Sequence, residues 1–182
     1  MRLGHVEARG AGLTVHAWGS GAGLAAVHVG EVPEEAALAG RFPVRGVEIA
    51  DPDPSLAALG EALRRYLGAG APLEWSGALD VRGLSEFQRE VFDAVRAIPH
   101  AEVRTYGQVA KDVGRPRAVR AVGNALHRNP FPLVVPCHRV LREGGGLGGF
   151  ACGVEAKRAL LALEAGQTVF PWSESPAAEG EA

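Results

Sequence analysis

Five consecutive residues, Pro136-Cys137-His138-Arg139-Val140, set a thiol beside an imidazole and a guanidinium. A thiol attacks carbon only as thiolate, and a neighbouring histidine or positive charge lowers its pKa from about 8.5 towards or below neutrality. Cys137 is therefore the candidate nucleophile. A plainer reading stands beside it. A lone cysteine is usually a small apolar side chain, and Phe131-Pro132-Leu133-Val134-Val135 ahead of it suits a buried strand.

The elements that would position this thiol lie upstream. Ser85 and Gln88 have capping-box spacing, and Phe87, Val91, Val95 and Ile98 follow at helical intervals until Pro99. Thr105 and Gln108 start a second, short helix carrying Val109, Ala110 and Val113, which stops at Gly114. Pro116 then stands where a first helical residue should be. Two helices joined by a short turn containing glycine form a helix-turn-helix pattern. The spacing predicts a helix over 116–128 with Val119, Val122 and Leu126 on its core face and Arg117, Arg120, Ala121, Asn124 and Arg128 opposite. The small residues Ala118, Ala121, Gly123 and Ala125 would let the backbone approach another surface closely.

Charge separates this stretch from the rest. Between Arg104 and Arg142 eight basic residues (Arg104, Lys111, Arg115, Arg117, Arg120, Arg128, Arg139, Arg142) face one acid, Asp112, a balance of plus seven. The whole chain carries minus two, so the remainder carries minus nine. A basic patch in an acidic protein points to a polyanion partner, although a solvated charged face is the ordinary reading for an isolated helix.

Phe87-Gln88, Ile98-Pro99, Thr105-Tyr106-Gly107, Arg120-Ala121-Val122-Gly123, Asn129-Pro130, the Cys137 pentapeptide, Gly148-Gly149-Phe150 and Leu160-Leu161 through Glu164 resemble, in order and spacing, the O6-alkylguanine-DNA alkyltransferases. The likeness is dense from Ser85 to Glu164 and looser before it. It implies direct, irreversible repair of double-stranded DNA without a cofactor: Cys137 takes a methyl or other alkyl group from O6 of guanine, with O4 of thymine left open as a second target. In the family picture His138 takes the thiol proton through a water, Glu164 orients His138, and Asn129 fixes the active-site turn. Arg120 fills the space left by a flipped nucleotide, Tyr106 crowds its phosphate, and the recognition helix lies in the minor groove. Arg117 and Arg128 would add DNA contacts, with Ala121 and Gly123 giving the close approach. Tyr106, Pro132, Val140, Phe150, Ala151 and Cys152 would line the substrate pocket.

Beside those roles stand simpler ones. Glu164 lies three and four residues after Leu161 and Leu160, which turns it inward, but a helix-end glutamate can also pair with Lys157 or Arg158 at the surface. Tyr106 can be a half-buried core aromatic. Phe150 stands where the family usually has tyrosine, and Cys152 where it usually has glycine. Both departures imply slower chemistry and poorer acceptance of benzyl than of methyl.

The fold class expected is α+β or α/β: a small first domain (1–76), ribonuclease-H-like by the resemblance, then a linker (77–84), a mainly helical DNA-binding domain with the helix-turn-helix (85–165) and a disordered tail (166–182). In the first domain Leu13–Trp18, Leu24–Val29 and Val44–Ile49 read as strands, and Leu56, Leu59, Leu63 and Leu67 mark a helix. His5, His16 and His28 have no cysteine before Cys137 to complete a zinc site, so no metal is expected. With two cysteines, no leader and no long apolar run, the chain reads as a cytoplasmic monomer with reduced thiols, on the nucleoid if bacterial, with no membrane partner and cooperative binding along DNA open. Two other classes compete: a lesion-binding module that flips alkylguanine without dealkylating it, which Cys137 argues against, and a thiol hydrolase, which gives no reason for the basic helix.

Overall fold

The computed structural model describes residues 2–31, 48–50 and 53–166. Strands β1 (Arg2–Gly10), β2 (Leu13–Ser20) and β3 (Gly23–Val29) form an antiparallel meander, and β4 (Glu48–Ala50) joins β1 in parallel, giving the order β3-β2-β1-β4. The register pairs Ala8 with Val15, Val15 with Val29 and Ala17 with Val27, so one face is a continuous apolar surface. Helix α1 (Pro54–Ala69) covers it. Asp53 caps that helix by accepting the Leu56 amide at 2.9 Å, Pro54 occupies its first turn, and Gly70 ends it at φ 64°. Gly10 is required by close approach, because a Cβ there would fall 2.6 Å from the Leu67 carbonyl oxygen.

Strand β1 was not foreseen from the sequence. Its residues Gly4, Val6, Ala8 and Gly10 face the helix, and small residues with weak strand propensity hide the alternation. Most of the expected strand Val44–Ile49, and the tail from residue 167 onward, lie outside the described residues.

The segment expected as a linker is docked on the sheet. Leu24 donates its amide to Ala78 and accepts from Asp80, both at 2.8 Å, while the Ser20 hydroxyl donates to Asp80 at 2.9 Å. Further along, Val27 donates to Pro130 at 2.8 Å. The outer edge of β3 is thereby covered.

The carboxy-terminal part follows its capping signals. Helix α2 (Glu86–Arg96) and helix α3 (Tyr106–Asp112) each start with a complete capping box, Ser85 with Gln88 and Thr105 with Gln108. Helix α4 (Val119–His127) begins later than expected, because Ala118 donates to Arg115 at 2.8 Å and closes a separate turn over 115–118. That shift leaves Val119 39% exposed at the first helical position, correcting its assignment to the core, while Val122, Ala125 and Leu126 are buried. Strand β5 (Arg104–Thr105) precedes α3, and a tight 3-10 turn (Cys137–Arg139), strand β6 (Val140–Leu141) and helix α5 (Val154–Glu164) are the last elements among the described residues. One apolar cluster joins Leu59, Leu63 and Leu67 of α1 to Val91, Val95, Val122, Phe131 and Leu160. Each such side chain contributes about 1.5–3 kcal/mol by burial, so the two parts share their stability. No helix among the described residues is long and apolar enough to cross a membrane.

Candidate active site

The parallel pairing of Arg104 with Val140 and Thr105 with Leu141 joins β5 (Arg104–Thr105) to β6. Because α3 starts directly after β5 and β6 follows the Cys137–Arg139 turn, this small sheet sets Tyr106 beside Cys137. Both line a cavity of about 730 Å³ together with Val119, Arg120, Gly123, Asn124, Arg142, Phe150 and Ala151. Cys137 is only 7% exposed.

Asn129 holds the turn that presents the thiol. Its side-chain amide donates to the Val135 carbonyl at 3.0 Å and to Cys137 Sγ at 3.1 Å, and its oxygen accepts the Phe131 amide at 2.9 Å. The chain between is tightly folded: Val135 donates to Phe131 at 2.8 Å, and Leu133 sits at φ 74°. A left-handed conformation costs a non-glycine residue about 1–3 kcal/mol, so the surrounding bonds must hold this segment in place.

Behind the thiol lies a buried charged cluster. His138 bonds through Nε2 to Glu164 Oε1 at 2.7 Å. Arg139 donates from Nε to Oε2 and from its terminal nitrogen to Oε1, each at 2.9 Å, and also to the Ile98 carbonyl at 2.8 Å. Tyr66 donates its hydroxyl to Oε1 at 2.7 Å, and the Ala101 amide reaches Oε2 at 3.2 Å. Burial alone would raise the Glu164 pKa, but the bonds and charges of His138 and Arg139 outweigh it and hold the carboxyl well below the usual range. Since the carboxylate can only accept, His138 carries its proton on Nε2, which leaves Nδ1 unprotonated, buried and without a partner among the described residues. Burial lowers the His138 pKa against the pull of Glu164, favouring this neutral form.

The thiol differs from expectation. Burial pushes Cys137 up to about 11, opposed by the Asn129 bond and, more weakly, by the Lys157 charge. The adjacent imidazole does not lower it directly, because the turn aims His138 at Glu164. A base must therefore act at the moment of reaction.

Glu164 is buried with His138 and Arg139 and does not pair with Lys157 or Arg158 at the surface. Arg139 leaves the basic patch for this cluster. Arg115 pairs with Glu90 and Arg104 with Glu102, so the exposed basic face comprises Lys111, Arg117, Arg120, Arg128 and Arg142. Arg117 lies in the turn before α4, Arg128 caps its end and Ala121 is exposed between them, all three outside the cavity wall. Gly123 sits against the Tyr106 ring, where a Cβ would lie 3.9 Å from it. Among the expected pocket residues Tyr106, Phe150 and Ala151 line the cavity. Pro132, Val140 and Cys152 do not: the first two are buried in the turn and in β6, and Cys152 packs half-buried against the core. Neither cysteine is joined in a disulfide among the described residues.

Two residues were missed in the sequence. Tyr66 was hidden in the leucine stripe of α1. Lys157 is fully buried, donating to the Val140 and Leu147 carbonyls at 2.6 and 2.5 Å, and burial lowers its pKa to about 8. Its spacing from Leu160 and Leu161 was a usable signal, the same that turned Glu164 inward.

A buried cysteine beside a helix that carries Arg120 and is flanked by Arg117 and Arg128, with a histidine and a carboxylate behind it, is the arrangement of a cysteine nucleophile set next to a cationic surface. The profile described as "6-O-methylguanine DNA methyltransferase, DNA binding domain" matches residues 86–166. The methylated-DNA–protein-cysteine methyltransferase of Mycolicibacterium paratuberculosis is 43% identical over 139 residues, 70% of this chain and 84% of its own length. The OGT of Mycobacterium tuberculosis, solved in complex with DNA, superposes with a TM-score of 0.70 at 33% identity, covering 90% of this chain and 92% of that one. The O6-methylguanine-DNA methyltransferase of Pyrococcus kodakaraensis gives a TM-score of 0.64 at 26% identity, covering 89% and 98%. The chain belongs to the methylated-DNA–protein-cysteine methyltransferase family.

Proposed function

We propose that this protein repairs DNA by moving the methyl group, or another alkyl group, from O6 of guanine to its own Cys137, once per molecule. The observation that carries this reading is the thiol in a cavity walled by α4 with Arg120 and backed by a base whose second nitrogen has no partner among the described residues. A water between His138 Nδ1 and Cys137 Sγ carries the thiol proton to the imidazole. The thiolate then attacks the alkyl carbon in line, the carbon–oxygen bond breaks, its electron pair passes into the guanine ring, and the base regains a proton at N1. The product is a thioether, which no group in the site can cleave. Glu164 stabilises the imidazolium, and Asn129 supports the developing thiolate through its bond to Sγ.

In this reading α3 and α4 act as the helix-turn-helix, with α4 in the minor groove. Gly123 and Ala121 allow close approach, Arg120 occupies the space of the flipped nucleotide, Tyr106 presses on its phosphate, and Arg117 and Arg128 meet the backbone. The sheet and α1 serve as the ribonuclease-H-like scaffold of residues 1–76, joined by 77–84 to the alkyl-accepting domain 85–165. The protein acts as a monomer. O4-alkylthymine presents the same bond and belongs among the substrates to test, as does cooperative binding.

Intact-protein mass spectrometry after mixing with a duplex containing one O6-methylguanine tests the proposal. One methyl mass per protein, mapped to Cys137 and absent in Cys137→Ala, is expected. Binding of the lesion without any mass gain would make the protein a recognition module instead.

A further inference from the structure

Helix α1 belongs to the sheet, far from the nucleophile in sequence, yet Tyr66 reaches the acid–base cluster. Its side chain is 1% exposed. Its hydroxyl donates to Glu164 Oε1 at 2.7 Å and lies 3.5 Å from His138 Nε2, and its ring meets His100 edge to face at 6.2 Å. The neighbours on the same stripe, Leu59, Leu63 and Leu67, are aliphatic. Phenylalanine would fill this position without a polar group to bury, so the hydroxyl needs a reason. Glu164 Oε1 supplies one, since it accepts from Tyr66, His138 and Arg139 together.

We propose that Tyr66 is a positioning residue for alkyl transfer: its hydroxyl takes up part of the charge on Glu164 Oε1 and so sets how strongly that oxygen holds the proton of His138. The inference rests on the alkyl-transfer reading for its role in the reaction, but the geometry of the cluster stands apart from it. Donors at one oxygen compete, because each draws on the same negative charge. With the tyrosine hydroxyl in place the carboxylate orients the imidazole without overstabilising its charged form, and Nδ1 stays free to accept a proton. Without it, Glu164 stabilises the imidazolium more strongly and fewer molecules hold a competent base near neutrality. The amino-terminal helix then takes part in the chemistry as well as the packing.

Tyr66→Phe keeps the ring and deletes the hydroxyl. In the full chain at pH 7, the His138 Nε2 proton resonance is expected to move downfield as its bond to Glu164 strengthens. The acid limb of the methylation rate against pH is expected to rise by about 0.5–1 unit, with a threefold to tenfold loss on the acid side of that limb that recovers at higher pH. Leu59→Ala, which loosens the same helix without touching Glu164, should lower Tm and leave both readouts in place. A Tyr66→Phe protein with lower Tm but an unmoved resonance and limb would make Tyr66 structural only. If wild-type protein fails to accept methyl, the alkyl-transfer reading falls, and the His138 resonance still decides whether Tyr66 tunes this histidine.

Discussion

Arginine serves two opposite ends in this molecule. Arg139 is buried and gives three hydrogen bonds, two of them to Glu164, whereas Arg117, Arg120 and Arg128 on and around α4 stand in solvent. A buried guanidinium tolerates no change of partner, because losing the opposite charge leaves an ion in a dry site. An exposed one has water in reserve and acts through the field it adds to a surface. The motif Pro136 to Val140 contributes to the first region and α4 to the second, and Cys137 lies where they meet.

The sharpest way to break the contrast is Glu164→Gln. It keeps the shape but removes the charge facing Arg139 and His138, and it should cost about 3–5 kcal/mol of stability. Denaturant titration would read that loss, and methyl transfer should fall with it. The pH dependence has a fixed sign: the folded-state pKa of Glu164 is depressed, so its stabilisation is complete above the unfolded value near 4.5 and is lost as pH falls below it. Wild-type protein should therefore lose stability towards acid more steeply than Glu164→Gln; equal slopes would mean the ion pair contributes nothing. Asn129→Ala comes next. It leaves the Phe131 amide and the Val135 carbonyl without this partner, at about 1–3 kcal/mol, and removes the donor at Cys137 Sγ, so it should slow transfer in protein that still folds at low temperature.

The sequence made the exposed region easier to read than the buried one. Capping boxes at Ser85 and Thr105 are local signals, since their partners lie three residues away, and charge along α4 can be counted directly. The start of α4 was misplaced because Pro116 suits both a first helical turn and the separate turn it occupies. The buried cluster is built from long-range pairs, Tyr66 with Glu164 and Arg139 with Ile98, and no spacing within the chain encodes them. Arg139 accordingly read as part of the surface patch. Cys137 and His138 stood out through their family motif, whereas the rise in thiol pKa depends on burial, which the motif does not express.

Phe150 tests where the two regions join. It lines the cavity and meets the His138 ring edge to face at 6.5 Å, but it has no hydroxyl to offer the departing guanine. A single hydrogen bond made in the transition state is worth about 1.4 kcal/mol, so Phe150→Tyr should raise the methyl-transfer rate by no more than about tenfold. Wild-type protein should react more slowly with a benzylguanine duplex than with a methylguanine one. Equal rates would show that Phe150 does not restrict the alkyl group, and Cys152, which lies outside the cavity wall, could not then be invoked in its place.

The smallest effects belong to the exposed arginines. Arg117→Ala or Arg128→Ala should leave stability within about 0.5 kcal/mol of wild type, because water already solvates both groups. Each should weaken binding to lesion-free duplex and reduce the slope of log affinity against log salt by about one. Binding measured between low and moderate salt would separate the two kinds of arginine: a surface variant changes the slope and spares the fold, whereas Arg139→Ala should unfold the cluster. A slope unchanged by both surface variants would remove Arg117 and Arg128 from the DNA-binding face and confine contact to the cavity rim around Arg120.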